Sequence, residues 1–110
     1  MKVDVVILRS AEIDLKELRS YLLRNFSAQA WNDSYGKLKD TIGHLAMSPY
    51  AGSVPTEIEK LHLNQYGQAV SGLNRIIYEL RGEKIYIHII ADTRKNLPDL
   101  LVKRLMRVDR

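Results

Sequence analysis

The stretch LNRIIYELRGEKIYIHIIA, residues 73–91, decides the fold because it contains two strand-like runs joined by a short turn. The first run covers residues 73–80, the second covers 85–91, and residues 81–84 connect them. Both runs are rich in β-branched and aromatic residues, and a short connection that contains glycine is typical of a β-hairpin. Apolar residues occur on both faces of each run, so we expect two central strands that are covered on both sides.

Strict alternation predicts which side chains of the hairpin share a face. In the first strand, one face is expected to carry Ile76, Tyr78 and Leu80, and the other Arg75, Ile77 and Glu79. In the second strand, one face is expected to carry Ile85, Ile87 and Ile89, and the other Tyr86, His88 and Ile90.

The residues before the hairpin predict one strand and two helices. Residues 3–8 form a short β-branched run, and Ser10 could cap the helix that follows it. That helix has an apolar stripe and is expected to end at Asn25; the stripe is Ala11, Leu15, Leu18 and Leu22. A second helix begins near Ser27, ends at Ser48 and carries an a/d seam of Trp31, Tyr35, Leu38, Ile42 and Leu45. The very short connection makes the two helices an antiparallel hairpin.

The remaining segments complete the order β-α-α-β-β-β-α. Residues 58–63 alternate apolar and polar and predict a strand, whereas residues 64–67 and 71–72 look like turns or loop. Asn96 is expected to cap a last helix with a stripe of Leu97, Leu101, Leu105 and Val108. We therefore expect a single α+β domain over residues 1–110. Its helical hairpin should cross one face of a three-stranded antiparallel sheet, with the first strand at or near an edge.

Composition excludes several classes of function. The chain has 110 residues and no cysteine, so it has no disulfide framework, thiolate zinc site or cysteine nucleophile. Its three histidines lack metal-site spacing and its glycines form no phosphate-binding loop, so we expect neither a metal nor a cofactor. No apolar run approaches the length of a membrane helix, and Asp4 and Arg9 argue against a signal peptide. We expect a cytoplasmic protein with no membrane partner.

The positive charge is concentrated at one end of the chain. Residues 1–93 carry 11 Lys/Arg and 11 Asp/Glu, whereas residues 94–110 carry six cations and two acids. Such a segment could face phosphates or an acidic partner. Alternatively, its cations could offset the dipole at the end of a helix. The second interpretation explains Arg104 and Arg107 but not Arg94 and Lys95.

Cations on or beside the sheet are the remaining candidates for chemistry. Arg75 lies early in a central strand and Arg94 follows the end of the next, and antiparallel pairing could bring them close together. Arginines clustered on a sheet can bind phosphate bidentately or stabilise charge during phosphoryl transfer. The alternative is that they are strand-end cations paired with nearby glutamates. His88 could likewise be a hydrogen-bonded, partly buried histidine rather than a catalytic one.

The segment RIIYEL (75–80), the strand at 85–90 and ADTRKN (91–96) together resemble the RelE/ParE superfamily of bacterial toxins. These proteins are the toxin halves of type II toxin–antitoxin modules, and the tail LPDLLVKRLMR is similar to the ending of many plasmid-stabilisation members. The resemblance covers nearly the whole chain through element order and length rather than one specific motif. It implies a RelE/ParE-like α+β fold and a hetero-oligomer with a cognate acidic antitoxin.

The resemblance implies two modes of action. RelE-like members cleave mRNA on the ribosome, and here the catalytic residues would be Arg75 and Arg94, with Lys60, His62 and His88 as weaker candidates. ParE-like members inhibit DNA gyrase and have no nuclease site. The tyrosine or histidine usually found beyond the final-strand arginine is missing, because no Tyr or His follows Arg94. This absence favours gyrase inhibition, and a non-toxic binding module is a further alternative.

Two groups of residues become candidates for binding under this resemblance. The cations of the tail are candidates for contact with the target: Arg94, Lys95, Lys103, Arg104 and Arg107. The seam of the second helix is the candidate for contact with the antitoxin: Trp31, Tyr35 and Leu38.

Overall fold

A computed structural model of the chain describes residues 3–49 and 65–104. In chain order the elements are β1 (Asp4–Ile7), α1 (Arg9–Asn25), α2 (Ala28–Met47), β2 (Tyr66–Ser71), β3 (Asn74–Arg81), β4 (Lys84–Asp92) and α3 (Leu97–Arg104). The predicted strand at 58–63 lies outside the described residues, as do Lys60, His62, Leu105, Arg107 and Val108. None of the described helices is both long and apolar enough to cross a membrane.

The four strands form one mixed sheet in the order β1-β4-β3-β2. β4 pairs antiparallel with β3 and β3 with β2, whereas β1 pairs parallel with β4 at the edge. The α+β fold and the edge position of the first strand are thus confirmed. The loop predicted at 64–67 is wrong at its end, because Tyr66 and Gly67 begin β2. Gly67 serves close packing rather than a turn, since a Cβ there would lie 2.9 Å from the Tyr78 ring.

Helices cover both faces of the sheet, as the apolar faces of β3 and β4 predicted. On one face, the helical hairpin buries a cluster that includes Ala11, Leu38, Leu45, Ile76, Ile85 and Ile87. On the other face, α3 contributes Leu97 and Leu101 to a second cluster with Tyr66, Ile77, Ile89 and Ala91. The sheet therefore separates α3 from α1 and α2.

A β-bulge at His88 changes the face predicted for two residues. Ile77 pairs with Ile89 and Tyr78 pairs with Ile87, so His88 is an extra residue on β4. Beyond the bulge the alternation is reversed, because one additional residue turns every later side chain to the opposite face. Ile89 consequently packs beneath α3 and Ile90 beneath the helical hairpin, and the prediction for these two residues is wrong.

Of the two predicted helix caps, the one at Asn96 is confirmed, and Ser27, where the second helix was predicted to begin, is also a cap. The Ser27 Oγ accepts from the Ala30 N–H at 3.0 Å, and the Asn96 Oδ1 accepts from the Asp99 N–H at 3.1 Å. The cap predicted at Ser10 is wrong, since α1 begins at Arg9 after Leu8 and has no side-chain cap. The Ser10 hydroxyl instead donates to the His88 carbonyl at 3.1 Å.

Candidate functional site

A cleft of about 680 Å³ lies between the helical hairpin and one end of the sheet. Its walls come from α1, the start of α2, the β2–β3 turn, the end of β4 and α3. Leu18 and Leu22 form part of its apolar lining, and Tyr21, Phe26 and Leu73 stand at its rim. These three rim residues are 47%, 66% and 64% exposed, an apolar surface that suits a protein partner.

Cations from three elements line the same cleft. Lys37 comes from α2, Arg94 and Lys95 follow β4, and Arg104 ends α3. Within residues 3–49 and 65–104, neither Lys37 nor Lys95 has an ion-pair partner. The cleft also contains Asp14, Glu17 and Asp92, and Arg94 and Arg104 pair with two of these acids. Lys37 and Lys95, beside the apolar surface, are therefore the cations that favour acidic side chains in an amphipathic partner.

Arg94 is held at the rim by Asp92. The Arg94 Nε and Nη2 donate to the two Asp92 carboxylate oxygens at 2.9 and 2.7 Å, and the Arg94 N–H donates at 2.7 Å. Hydrogen bonding to the Arg94 guanidinium lowers the pKa of Asp92 to about 2. The arginine side chain remains 72% exposed, so it is oriented by Asp92 but still accessible.

Arg75 is built into the sheet and does not line the cleft. Its Nη1 donates to the Gln68 Oε1 at 2.9 Å, and its Nη2 donates to the Thr93 carbonyl at 3.0 Å. The Nε is buried and has no hydrogen-bond partner among the described residues. Although Thr93 is the neighbour of Arg94, the two arginines have separate partners, and only Arg94 reaches the cleft.

His88 belongs to a cluster of polar side chains on the face of the sheet that α3 covers. Its Nε2 lies 3.0 Å from the Glu79 Oε1, and the Arg81 Nη2 donates to the same oxygen at 3.0 Å. The Tyr66 ring meets the imidazole edge to face, and the Arg81 guanidinium lies 4.6 Å from the Tyr86 ring centroid. Burial lowers the pKa of His88, so the neutral ring carries its proton on Nε2 and donates to Glu79.

Burial also raises the pKa of Tyr66, and the nearby Glu79 carboxylate raises it further. The cluster therefore holds two uncharged groups, Tyr66 and His88, beside one carboxylate.

Arg104, expected to contact a target, is engaged within the protein. Its Nη1 and Nη2 donate to the two Asp14 oxygens at 3.0 Å each, and the Nη2 also donates to the His88 carbonyl at 3.0 Å. Lys95 and Lys103 are exposed, as the binding interpretation requires.

The residues expected to bind the antitoxin are divided between surface and core. Trp31 and Tyr35 stack with ring centroids 5.0 Å apart, and the Lys39 Nζ lies 5.0 Å from the Tyr35 centroid. Tyr35 is 39% exposed, whereas Leu38 is 1% exposed and packs in the core. Leu38 therefore presents no surface to a partner, and neither Trp31 nor Tyr35 lines the cleft.

The exposed apolar residues of the cleft were not singled out from the sequence. Tyr21 lies at the margin of the α1 stripe and Phe26 lies in the connection between the helices, where an aromatic residue has no core to enter. That position was the available signal for a surface role. Leu73 lies in the turn after β2. The sequence did not identify β2 as a strand.

Comparisons with known proteins identify the fold and the family of this chain. No curated protein sequence matches the chain. A chain in the structure titled "Chromosomal ParDE TA system from P. aeruginosa" superposes with a TM-score of 0.69 at 12% identity, covering 83% of this chain and 96% of that one. At this identity the likeness shows the fold. The family model for the ParE toxin of the type II toxin–antitoxin system, parDE, matches residues 5–97. The chain therefore belongs to the ParE family of type II toxin–antitoxin toxins, and this membership implies an antitoxin as its partner.

Proposed function

We propose that this ParE-family toxin arrests growth by inhibiting DNA gyrase. The observation that carries the proposal is that both arginines expected to hold a scissile phosphate already have partners within the chain. Arg75 is bound by Gln68 and Thr93, and Arg94 is bound by Asp92. The guanidinium of Arg75 would have to leave these contacts to bind RNA, and that of Arg94, although exposed, already has its charge paired with the Asp92 carboxylate. Inhibition by surface binding has no such requirement.

mRNA cleavage is a second candidate because of the His88 cluster. A neutral imidazole beside a carboxylate can accept a proton, and its lowered pKa keeps it neutral at physiological pH. However, the His88 side chain is 17% exposed and that of Glu79 is 12% exposed, which restricts access by an RNA strand. The cluster is therefore better suited to a structural role than to catalysis.

The proposed binding site of the antitoxin is the cleft. Its exposed Tyr21, Phe26 and Leu73 suit the apolar side of a partner segment, and Lys37 and Lys95 suit acidic side chains beside it. An acidic amphipathic tail satisfies both requirements, and its affinity should fall as salt rises because the two lysines are exposed.

The test measures both activities on the same protein. Purified wild type is assayed for inhibition of gyrase supercoiling of relaxed plasmid and for cleavage of ribosome-bound mRNA. We expect inhibition of supercoiling without mRNA cleavage. Arg75→Ala should retain inhibition once circular dichroism shows that it folds, because the Arg75 guanidinium is held by Gln68 and Thr93 within the sheet rather than presented to a partner. Arg19→Ala, which removes an exposed cation of α1, is the matched control.

A nuclease would behave differently in the same assays. Ribosome-dependent cuts that fall about a hundredfold in Arg75→Ala or His88→Ala, with gyrase unaffected, would overturn the proposal, since such a loss is typical of removing a group that stabilises a transition state.

A further inference from the structure

A group of buried hydrogen bonds joins the last described turn of α3 to α1 around the edge of the sheet. The Arg104 guanidinium bonds to both oxygens of Asp14 and to the His88 carbonyl, each at 3.0 Å. The Asp14 Oδ2 also accepts the Ile90 N–H at 2.9 Å. We call these four groups the clasp: Asp14, Arg104, the His88 carbonyl and the Ile90 N–H.

The clasp differs from an ordinary surface ion pair. The Asp14 side chain is 12% exposed and that of Arg104 is 23% exposed. The pairing is bidentate, and both side chains also hydrogen-bond backbone groups of β4 that lie beyond its last pair with β1. Exposed ion pairs contribute little to stability, but removing one partner of a shielded pair leaves the other charge poorly solvated.

The position of the clasp couples α3 to the cleft. α3 packs on the face of the sheet opposite the helical hairpin, and Arg104 reaches α1 just past the end of β1. Asp14, Leu100 and Arg104 all line the cleft. The contact between Arg104 and Asp14 therefore lies where the second half of α3 forms part of the cleft wall.

The described residues of α3 are held at two places. Leu97 and Leu101 anchor its first turns in the core, being 3% and 0% exposed. After Leu101, Val102 and Lys103 are exposed, and Arg104 adds the contact to α1.

We propose that Asp14 and Arg104 are positioning residues: by clasping α3 they fix both a wall of the cleft and the placement of Lys103, the exposed described cation of the tail that lies on α3. The clasp itself follows from the contacts above, whereas its effect on toxicity rests on the proposed function. Breaking it should loosen the end of α3 without unfolding the sheet, and should weaken gyrase inhibition through misplacement of the tail.

The test uses hydrogen exchange on the full chain with two variants. Asp14→Asn removes the charge but keeps an oxygen for the Ile90 N–H, and Arg104→Gln removes the guanidinium. Each should accelerate exchange of the amides of residues 100–104 about tenfold, as expected for a pair of contacting residues. The double variant should exchange no faster than Arg104→Gln alone, because that substitution already removes the contact between residues 14 and 104. Arg104→Lys should give an intermediate rate, since it keeps the charge but loses the planar fork.

Matched controls and a second measurement separate the possible results. Glu17→Gln changes an exposed carboxylate of α1 and Lys103→Gln changes the exposed cation beside Arg104, so neither should alter the exchange of α3. Unchanged exchange in Asp14→Asn and Arg104→Gln, or fully additive effects in the double variant, would overturn the clasp. If exchange accelerates while inhibition of gyrase supercoiling is unchanged, the clasp holds and the tail is not the surface that contacts gyrase.

Discussion

The two halves of β4 are hydrogen-bonded along the same side by different groups. Over residues 84–87, the backbone of β1 pairs with β4 in a regular parallel ladder. Past Ile87, the hydrogen bonds come from the side chains of Ser10, Asp14 and Arg104. A backbone ladder does not depend on the identity of any one side chain, whereas the second half depends on three. The cleft and Asp92 adjoin this second half, so the hydrogen bonds beside the cleft depend on these three side chains rather than on a backbone ladder.

The largest loss of unfolding free energy is expected in the first half of β4, where core packing dominates. Ile87 is 0% exposed, and Ile87→Ala should lower the free energy of unfolding by about 2–5 kcal/mol, the range for truncating a buried aliphatic residue. Ile13→Ala is the matched control, since Ile13 is 46% exposed and should lose less than about 1 kcal/mol. Urea denaturation measures both values. Equal losses in the two variants would contradict the assignment of Ile87 to the core.

An intermediate loss of unfolding free energy is expected in the second half of β4, where side chains replace the backbone ladder with β1. Ser10→Ala removes the bond to the His88 carbonyl and should cost about 1 kcal/mol of unfolding free energy relative to Ser20→Ala. Ser20 is an exposed residue of the same helix, so the pair controls for the change in helix propensity. Urea denaturation again gives the difference. If Ser10→Ala is no less stable than Ser20→Ala, the hydroxyl does not support this edge.

The smallest loss of unfolding free energy is expected from protonation of His88, the bulge residue, as the pH falls. Because burial lowers the pKa of His88 in the folded state below its ordinary 6.5, the unfolded chain binds the proton more readily. The stability linked to His88 is therefore fully present above pH 6.5 and is lost as pH falls through the folded pKa. Arg81 and Arg104 add to the lowering, whereas Glu79 opposes it.

This pH effect is measured as the difference in unfolding free energy between wild type and His88→Gln. The difference should shift against wild type as the pH falls below 6.5. An NMR titration of His88 with a midpoint at or above 6.5 would contradict the prediction.

Local signals predicted much of this fold. Ser27 and Asn96 indicate where helices begin, because a capping side chain acts within three residues. The β3–β4 hairpin is encoded by one continuous stretch of sequence. The bulge and the clasp were not predicted, since Asp14 meets Ile90 across 76 positions and Arg104 across 90. β2 was missed because Gly67 resembles a turn residue unless the Tyr78 ring above it is known. Arg104 was assigned to target binding because sequence does not show that a cation has an internal partner.

The parallel pairing of β1 with β4 has a consequence for the order of folding during synthesis. Asp4 pairs with Lys84, so the ribosome must add 80 residues (84 minus 4) after Asp4 before that partner exists. Contacts so distant in sequence form slowly because a long loop must close first. Until then the apolar Val5-Val6-Ile7 segment has no strand to join, and the β1–β4 edge beside the cleft is incomplete. The nascent toxin therefore acquires its finished surface only at the end of translation.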